Sequence, residues 1–193
     1  MRRSKRLFRF CDVRRQHASR NTPLTTRLDH MSSSVDAIAS LLGQIPSGLC
    51  ILTARYHETE ETGMLVSWVQ QAAFNPPAVT IAINKSRFLH DWLSPGSPVA
   101  LNLLGESQKQ MLGHFGKGFE PGAPAFTNLS LERSPHGLPV LREALGWMEG
   151  IVSSKLDAGD HSILLVPLSA GGSGTLTGSV RPWVHLRKSG LHY

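Results

Sequence analysis

Short segments rich in β-forming apolar residues recur along most of the chain, separated by turns rich in glycine and proline. The clearest predicted strands are residues 48–55, 64–68, 78–83, 98–104, 144–155, 161–168 and 181–188, with a flexible loop at 171–178. Helical spacing is confined to residues 34–43, 86–93 and 107–115, and Ser34 and Gly43 are the predicted N-cap and stop of the first helix. These helices are too few to connect parallel strands, so the sequence predicts a mainly β fold, an antiparallel barrel with a few peripheral helices.

Positive charge is concentrated at the N-terminal end of the chain. The whole sequence has 20 Lys and Arg against 14 Asp and Glu, a net charge of +6, but residues 1–30 hold nine of the basic residues and two of the acids. The remaining residues, 31–193, are close to neutral. Because a nucleic-acid-binding domain carries positive charge on its folded surface, we expect residues 31–193 to form one domain without a nucleic-acid partner, preceded by a basic, disordered tail.

The basic tail leaves the compartment and the start site open. Residues 1–30 fit an unstructured extension with Met31 as the true start, and they also fit an Arg-rich organellar transit peptide. No apolar run approaches the ~20 residues that span a bilayer, and two cysteines, Cys11 and Cys50, suit a reducing compartment. We therefore expect a cytoplasmic protein with no membrane partner, and an organelle is the alternative.

Common catalytic and metal-binding motifs are missing from the sequence. The segment G-K-G-F-E-P (116–121) lacks the third glycine of a dinucleotide fingerprint, and neither a P-loop nor an H-E-x-x-H motif is present. The nine histidines do not have the helical spacing of a metal clamp, and no Ser-His-Asp arrangement is recognisable. We expect no metal site and no acid–base or nucleophilic catalytic residue.

The segment N-K-S-R (84–87) follows a predicted buried strand and begins a predicted helix. A hydroxyl and two cations in succession, Ser86 between Lys85 and Arg87, provide hydrogen-bond donors for an anion. The pattern favours a phosphate site, and an ordinary strand–helix turn is the alternative.

Polar residues interrupt the apolar alternation at V-S-W-V-Q-Q (66–71). Ser67, Gln70 and Gln71 need partners if this strand is buried, and Trp68 provides an apolar wall. A flat heteroaromatic ligand would satisfy both requirements, whereas a core tryptophan beside an exposed edge is the alternative.

A G-D-H motif (159–161) lies at the turn between the two longest predicted strands. Asp160 can fix the turn while His161 points into a cleft, although a turn aspartate followed by a surface histidine is the simpler interpretation.

Taken together and in this order, these motifs resemble the flavin reductase-like family, which has an FMN-binding Greek-key split β-barrel. The similarity is greatest to the C-terminal flavin reductase module of flavodiiron proteins from oxygenic phototrophs, and it covers about residues 34–193. The blocks that carry it are I-P-S-G-L-C-I-L-T-A (45–54), G-M-L-V-S-W-V-Q-Q-A-A-F-N-P-P (63–77), A-V-T-I-A-I-N-K-S-R (78–87), V-A-L-N-L-L (99–104), Q-K-Q-M-L-G-H-F (108–115), G-D-H (159–161) and H-L-R-K-S-G-L-H-Y (185–193).

The resemblance implies a homodimer that holds one FMN per subunit near its interface, with FAD as another option. The residues expected to flank the isoalloxazine are Val66, Ser67, Trp68, Val69 and Gln71. Lys85, Ser86 and Arg87 would hold the phosphate, and Asp160 and His161 would lie toward the nicotinamide of NAD(P)H. The C-terminal residues His185, Arg187 and Tyr193 would help to close the site or the dimer.

The activity implied by the resemblance is that of an NAD(P)H:flavin oxidoreductase. Hydride would pass from NAD(P)H to bound FMN, and electrons would pass to a second acceptor, which is a free flavin, an iron centre or oxygen. The alternative is a non-catalytic FMN-binding module that transfers electrons after docking on a redox partner. We expect any such partner to be a separate protein, because the sequence contains neither a diiron nor a flavodoxin domain.

Overall fold

The computed structural model describes residues 24–57 and 59–191. It contains two α-helices, α1 (Leu24–Gly43) and α2 (Gln110–Phe115), and a 3₁₀ helix (Phe88–Trp92). The strands are β1 (Ser47–Gly48), β2 (Cys50–Tyr56), β3 (Glu60–Val66), β4 (Val69–Phe74), β5 (Pro77–Asn84), β6 (Pro98–Leu103), β7 (Leu131–Arg133), β8 (Pro139–Leu141), β9 (Gly146–Ile151), β10 (Ser154–Ala158), β11 (His161–Ser173) and β12 (Val184–His185). The predicted mainly β class is confirmed.

The central sheet closes into a barrel because strands at opposite ends of the sheet follow each other in the chain. The order is β3-β2-β6-β9-β11-β5-β4, every pairing along it is antiparallel, and β10 pairs beside β11. Only Ser67 and Trp68 separate the end of β3 from the start of β4. The Trp68 carbonyl oxygen accepts a hydrogen bond from the Ala82 N–H at 2.9 Å, which ties this connection to β5.

Strand β11 is longer than the sequence predicts because it belongs to both halves of the barrel. Its first half pairs with β5 and β10, and its second half pairs with β9 after a bulge between Leu168 and Ala170. It therefore continues through Ser173, into the predicted loop at 171–178. A Cβ added at Gly172 would lie 2.8 Å from the Trp147 indole nitrogen, so glycine is needed where this side chain crosses the strand.

The predicted strand at 144–155 is in fact two strands, β9 and β10. The chain leaves β9 at Val152, whose N–H donates to the Ser97 carbonyl, and Ser153 then donates to the Leu165 carbonyl on the other half of β11. β9 pairs with the second half of β11 and β10 pairs with its first half, so one straight strand cannot form both pairings.

Helix α1 begins at Leu24 rather than after Ser34, so the predicted N-cap at Ser34 is wrong. The predicted stop at Gly43 is correct. A Cβ at Gly43 would lie 2.6 Å from the Arg187 carbonyl oxygen, and the Arg187 N–H donates to the Gly43 carbonyl at 2.9 Å. The helix end is thus fixed by close approach of the C-terminal segment. Within the described part of the chain, none of the helices is sufficiently long and apolar for a membrane span.

Three apolar clusters form the core of the described residues, and the smallest consists of Ala100, Leu138 and Val140. The largest fills the barrel between β2, β3, β5, β6 and β11, and it includes the buried side chains of the 3₁₀ helix. The second lies outside the barrel, where α2 packs on β3 around the fully buried Phe115. The second cluster fixes the loop after α2, which lies against the end of β3 and becomes part of the site described below.

Candidate functional site

A cavity of about 560 Å³ lies between the end of β3, the end of β5 and the loop that follows α2. Its volume lies within the ~300–1,000 Å³ typical of small-molecule sites. One wall consists of residues 62–67 of β3 and its continuation, and a second consists of residues 82–84 of β5. The third wall is the glycine-rich segment 116–120.

The polar end of the cavity is formed by Ser86, Arg87 and Lys117. Asn84 holds the turn, because its side-chain oxygen accepts hydrogen bonds from the Ser86 N–H at 2.8 Å and from the Ser86 hydroxyl at 2.7 Å. Arg87 Nη1 donates to the Lys117 carbonyl at 2.8 Å, which links the β5 turn to the glycine-rich segment. A guanidinium has five N–H groups, so Arg87 retains donors for an anion after making this bond.

Gly118 shapes the loop that carries Lys117. Its φ of +77° lies in the left-handed region, which glycine adopts without a steric cost. The position of an added Cβ would be 3.8 Å from Arg87 Nη1, so the backbone here passes close to the guanidinium.

Lys85 is directed away from this end of the cavity. Its ammonium forms an ion pair with Asp157 on β10, with 2.7 Å between Nζ and Oδ2. The hydrogen bond from Lys85 lowers the pKa of the Asp157 carboxyl below its usual value. Ser86 and Arg87 are among the described residues that line the cavity, whereas Lys85 is not.

The N-K-S-R and G-D-H motifs meet because β5 and β11 are antiparallel neighbours. Asn84 at the end of β5 is paired with His161 at the start of β11, and the Lys85 N–H donates to the Asp160 carbonyl at 2.9 Å. His161 lines the cavity, and its Nδ1–H donates to Asp160 Oδ1 at 2.9 Å. This hydrogen bond lowers the pKa of Asp160, whose carboxylate lies in solvent and fixes the orientation of the imidazole.

Trp68 lies behind His161. The two rings are tilted by 35° with centroids 4.7 Å apart, and Arg187 Cζ lies 4.9 Å from the centroid of the Trp68 ring. Arg187 thus brings the C-terminal segment onto Trp68 in a cation–π contact. His185 from the same segment lines the cavity, whereas Tyr193 lies outside the described residues.

The remaining sequence-predicted residues lie at different depths. Val66 and Ser67 are buried and line the cavity. Val69 packs against the barrel core, and Gln71 is exposed on β4. The described residues that form the cavity wall therefore include Val66, Ser67, Ser86, Arg87 and His161 but not Trp68, Val69, Gln71, Lys85 or Asp160.

Sequence reasoning missed the contribution of the glycine-rich segment. The sequence of residues 116–121 indicates only an incomplete dinucleotide fingerprint within a glycine- and proline-rich loop, whereas residues 116–120 form one wall of the cavity. Their position depends on Phe115, which is fully buried and packs edge-to-face on Phe119 with centroids 5.7 Å apart. The run of glycines next to aromatic residues was the available signal.

Cys50, the cysteine within the described residues, has no exposed thiol. It is buried in the barrel core, and burial raises the pKa of the thiol to about 12. A thiol that stays protonated is a poor nucleophile, so this residue serves packing.

Residues 42–173, more than half of the chain, match the model of the flavin reductase like domain. The chain therefore belongs to this family. The site geometry described above lies almost entirely within the matched residues, and the antiparallel split barrel predicted from the sequence agrees with the match.

Among curated proteins, the chain is 32% identical over 191 residues to diflavin flavoprotein A 1 from Synechocystis sp.. That alignment covers 98% of this chain, so the similarity extends beyond residues 34–193 into the basic N-terminal segment. It covers 33% of the relative, and two further proteins named as diflavin flavoproteins are covered over 27% and 25% of their length. The chain thus spans a quarter to a third of these relatives.

Solved structures of flavin reductases have the same fold. The flavin reductase of styrene monooxygenase from Pseudomonas putida S12 superposes with a TM-score of 0.63 and 26% identity, over 76% of this chain and 90% of that one. The NADH:FAD oxidoreductase of Streptomyces globisporus superposes with a TM-score of 0.68 over 79% of this chain and 87% of that one. Its identity is 22%, so this second comparison concerns the fold alone.

Proposed function

We propose that this protein is an NAD(P)H:flavin oxidoreductase that binds FMN in the 560 Å³ cavity and passes electrons to a second acceptor. Membership of the flavin reductase-like family supports flavin-linked oxidoreduction. The observation that carries the finer proposal is the convergence of an anion-binding end and an oriented histidine on one cavity. The second acceptor is a free flavin, an iron centre or oxygen. Where the acceptor is not in contact with this protein, a separate redox protein would carry the electrons to it.

The residues that line the cavity fit a flavin mononucleotide. Backbone and apolar side chains of β3 and β5, together with Val66 and the buried Ser67, provide a wall for a planar ring with polar edges. Arg87 and Lys117 provide positive charge for a phosphate at one end. Ser86 would have to rotate its hydroxyl away from Asn84 to donate to the same group.

The flavin supplies the hydride chemistry when it is bound, and the protein supplies binding, orientation and electrostatics. Arg87 binds the phosphate and at the same time holds the glycine-rich segment against the cavity through the Lys117 carbonyl. Asp160 orients His161, whose side chain is 11% exposed at the cavity wall. We assign Asp160 and His161 to the nicotinamide side, and no side chain has to act as a general acid or base.

When the flavin-loaded protein is mixed anaerobically with NADH or NADPH, we expect the absorbance of the oxidised flavin to disappear as the flavin is reduced. Replacement His161→Ala is expected to slow this bleaching at least about tenfold, because a misplaced nicotinamide loses the benefit of orientation. FMN affinity should change little. The matched control is His57→Asn, because His57 is exposed with a φ of 51° that asparagine tolerates, and it lies outside the cavity wall.

The result of that experiment separates this proposal from the electron-transfer alternative. Protein that binds FMN tightly but is bleached by neither nicotinamide would be a non-catalytic flavin module. If His161→Ala and His57→Asn are reduced at the wild-type rate, the reductase activity stands but the role assigned to His161 is wrong.

We further propose that the protein is a homodimer. Leu156 on β10 and Leu165 on β11 are 63% and 36% exposed. Leu156 is paired with Ile163 in the β10–β11 register, so the three side chains share one face of the sheet. Ile163 is paired in turn with Ala82, which lines the cavity. A second copy that covered this apolar face would therefore lie beside the cavity.

The replacement Leu156→Glu is expected to shift the protein from dimer to monomer in light scattering after size exclusion. A buried charge without a partner weakens such an interface strongly. Phe74→Glu is the control, because Phe74 is 90% exposed but lies on β4, which β5 and β11 separate from β10. A wild-type protein that is monomeric, or a dimer that only Phe74→Glu dissociates, would contradict the assigned face.

A further inference from the structure

A second cavity of about 370 Å³ adjoins the polar end of the first. Thr62, Phe88 and Glu120 belong to the walls of both cavities, so the two spaces are neighbours across these side chains. Phe88 directly follows Arg87 in the chain, and Glu120 lies three residues after Lys117. A group attached to an anion held at Arg87 and Lys117 would therefore extend toward the second cavity.

The second cavity has the size and the surfaces to accept a purine nucleoside. Its volume lies within the usual range for small-molecule sites, and Phe88 and Trp92 form one side with ring centroids 5.1 Å apart in an edge-to-face arrangement. Phe126 lies on the wall as well. The second cavity is therefore large enough for an adenosine.

The charge of the second cavity opposes a phosphate. Glu60, Glu61 and Glu120 line it, and none of the described residues that line it is Lys or Arg. Glu61 forms an ion pair with Arg133, which offsets its charge. Among the described residues, Glu60 and Glu120 have no ion-pair partner, so no salt bridge offsets the negative charge that they bring to the cavity wall.

We propose that Glu60 and Glu120 select FMN against FAD by repelling the second phosphate of the dinucleotide. This inference rests on the proposed flavin function, because it assumes that the flavin phosphate lies at Arg87 and Lys117. FMN ends at this phosphate and leaves the second cavity unused. FAD would have to place another phosphate and its adenosine beside two carboxylates, and like charges at close range disfavour binding.

The experiment measures dissociation constants of FMN and FAD for the same apoprotein, by the quenching of flavin fluorescence. The informative variant is Glu60→Lys, because Glu60 lines the second cavity and is absent from the described wall of the first. We expect FAD affinity to rise about fivefold, as for one exposed charge contact, with FMN affinity unchanged within about twofold. The replacement Glu60→Gln should act in the same direction with a smaller effect, because it removes one negative charge without adding a positive one.

Two controls distinguish repulsion from a change of shape. Glu143→Lys adds the same charge on an exposed residue outside both cavity walls, and it should leave the FMN-to-FAD ratio unchanged. Raising the salt concentration to about 1 M shortens the screening length to ~3 Å. The ratio of FMN affinity to FAD affinity in the wild type should therefore decrease. Thermal melts of each variant report whether the fold is intact.

The outcomes are separable from those of the proposed function. The selection by carboxylates is supported if the wild type binds FMN more tightly than FAD, and if the ratio of these affinities falls in Glu60→Lys but not in Glu143→Lys. Equal affinity of the wild type for both flavins, or a ratio that Glu60→Lys leaves unchanged, overturns it while flavin binding itself stands. Failure of the wild-type apoprotein to bind either flavin overturns the proposed function and this inference with it.

Discussion

The replacement Arg87→Ala is expected to weaken FMN binding by about 10- to 100-fold. A hydrogen bond to a charged group contributes about 1.5–3 kcal/mol, and every 1.4 kcal/mol is a factor of ten in affinity. Arg87 has two roles that the variant loses together, because it binds the phosphate and donates to the Lys117 carbonyl at 2.8 Å. Without this bond the glycine-rich wall of the cavity is no longer fixed to the β5 turn.

Lys85→Ala is the control for Arg87→Ala, since it removes a cation two residues away in the same motif. Lys85 is paired with Asp157 and lies outside the described cavity wall, so FMN affinity should stay within about threefold of wild type. Arg87→Lys keeps the charge but loses the planar donor fork, and it should fall between the two. Fluorescence titration of apoprotein measures all three. Equal losses in Lys85→Ala and Arg87→Ala would show that overall charge, rather than the Arg87 position, governs binding.

The antiparallel barrel could be predicted from the sequence because its signal is local. Short strands, turns of glycine and proline, and the scarcity of helices can each be recognised within a few residues. The length of β11 could not be predicted in this way. Ser173 continues the strand only because Trp147 and the rest of β9 lie beside it, and this pairing joins residues distant in sequence.

The candidate site, too, could be predicted only where its signal is local in the sequence. The sequence indicated Ser86 and Arg87 as anion ligands, and both line the cavity, but it could not separate them from Lys85. The partner of Lys85 is Asp157, 72 residues later, and nothing in the N-K-S-R segment indicates that pair. The wall formed by residues 116–120 and the second cavity beside it depend on how α2 packs, which a motif does not encode.

The replacement Gly150→Ala is expected to destabilise the fold by about 3 kcal/mol. Gly150 lies on β9 opposite Leu168, next to the bulge where β11 changes partners. A Cβ at this position would be 2.0 Å from the Pro167 carbonyl oxygen and 2.9 Å from Val166 Cγ1. Backbone on one side and a buried side chain on the other leave no room for adjustment, so the two strands must separate.

Thermal unfolding followed by circular dichroism measures this effect, and a domain of this size should lose about 6–12 °C in Tm. Gly113→Ala is the matched control in the opposite direction. No atom lies within 4 Å of a Cβ at Gly113, which is exposed in α2, so alanine should stabilise the protein by about 0.5–1 kcal/mol. If Gly150→Ala melts within about one degree of wild type, β9 and β11 do not approach each other as closely as the register requires, because the clash is with backbone and cannot be relieved by a rotamer change.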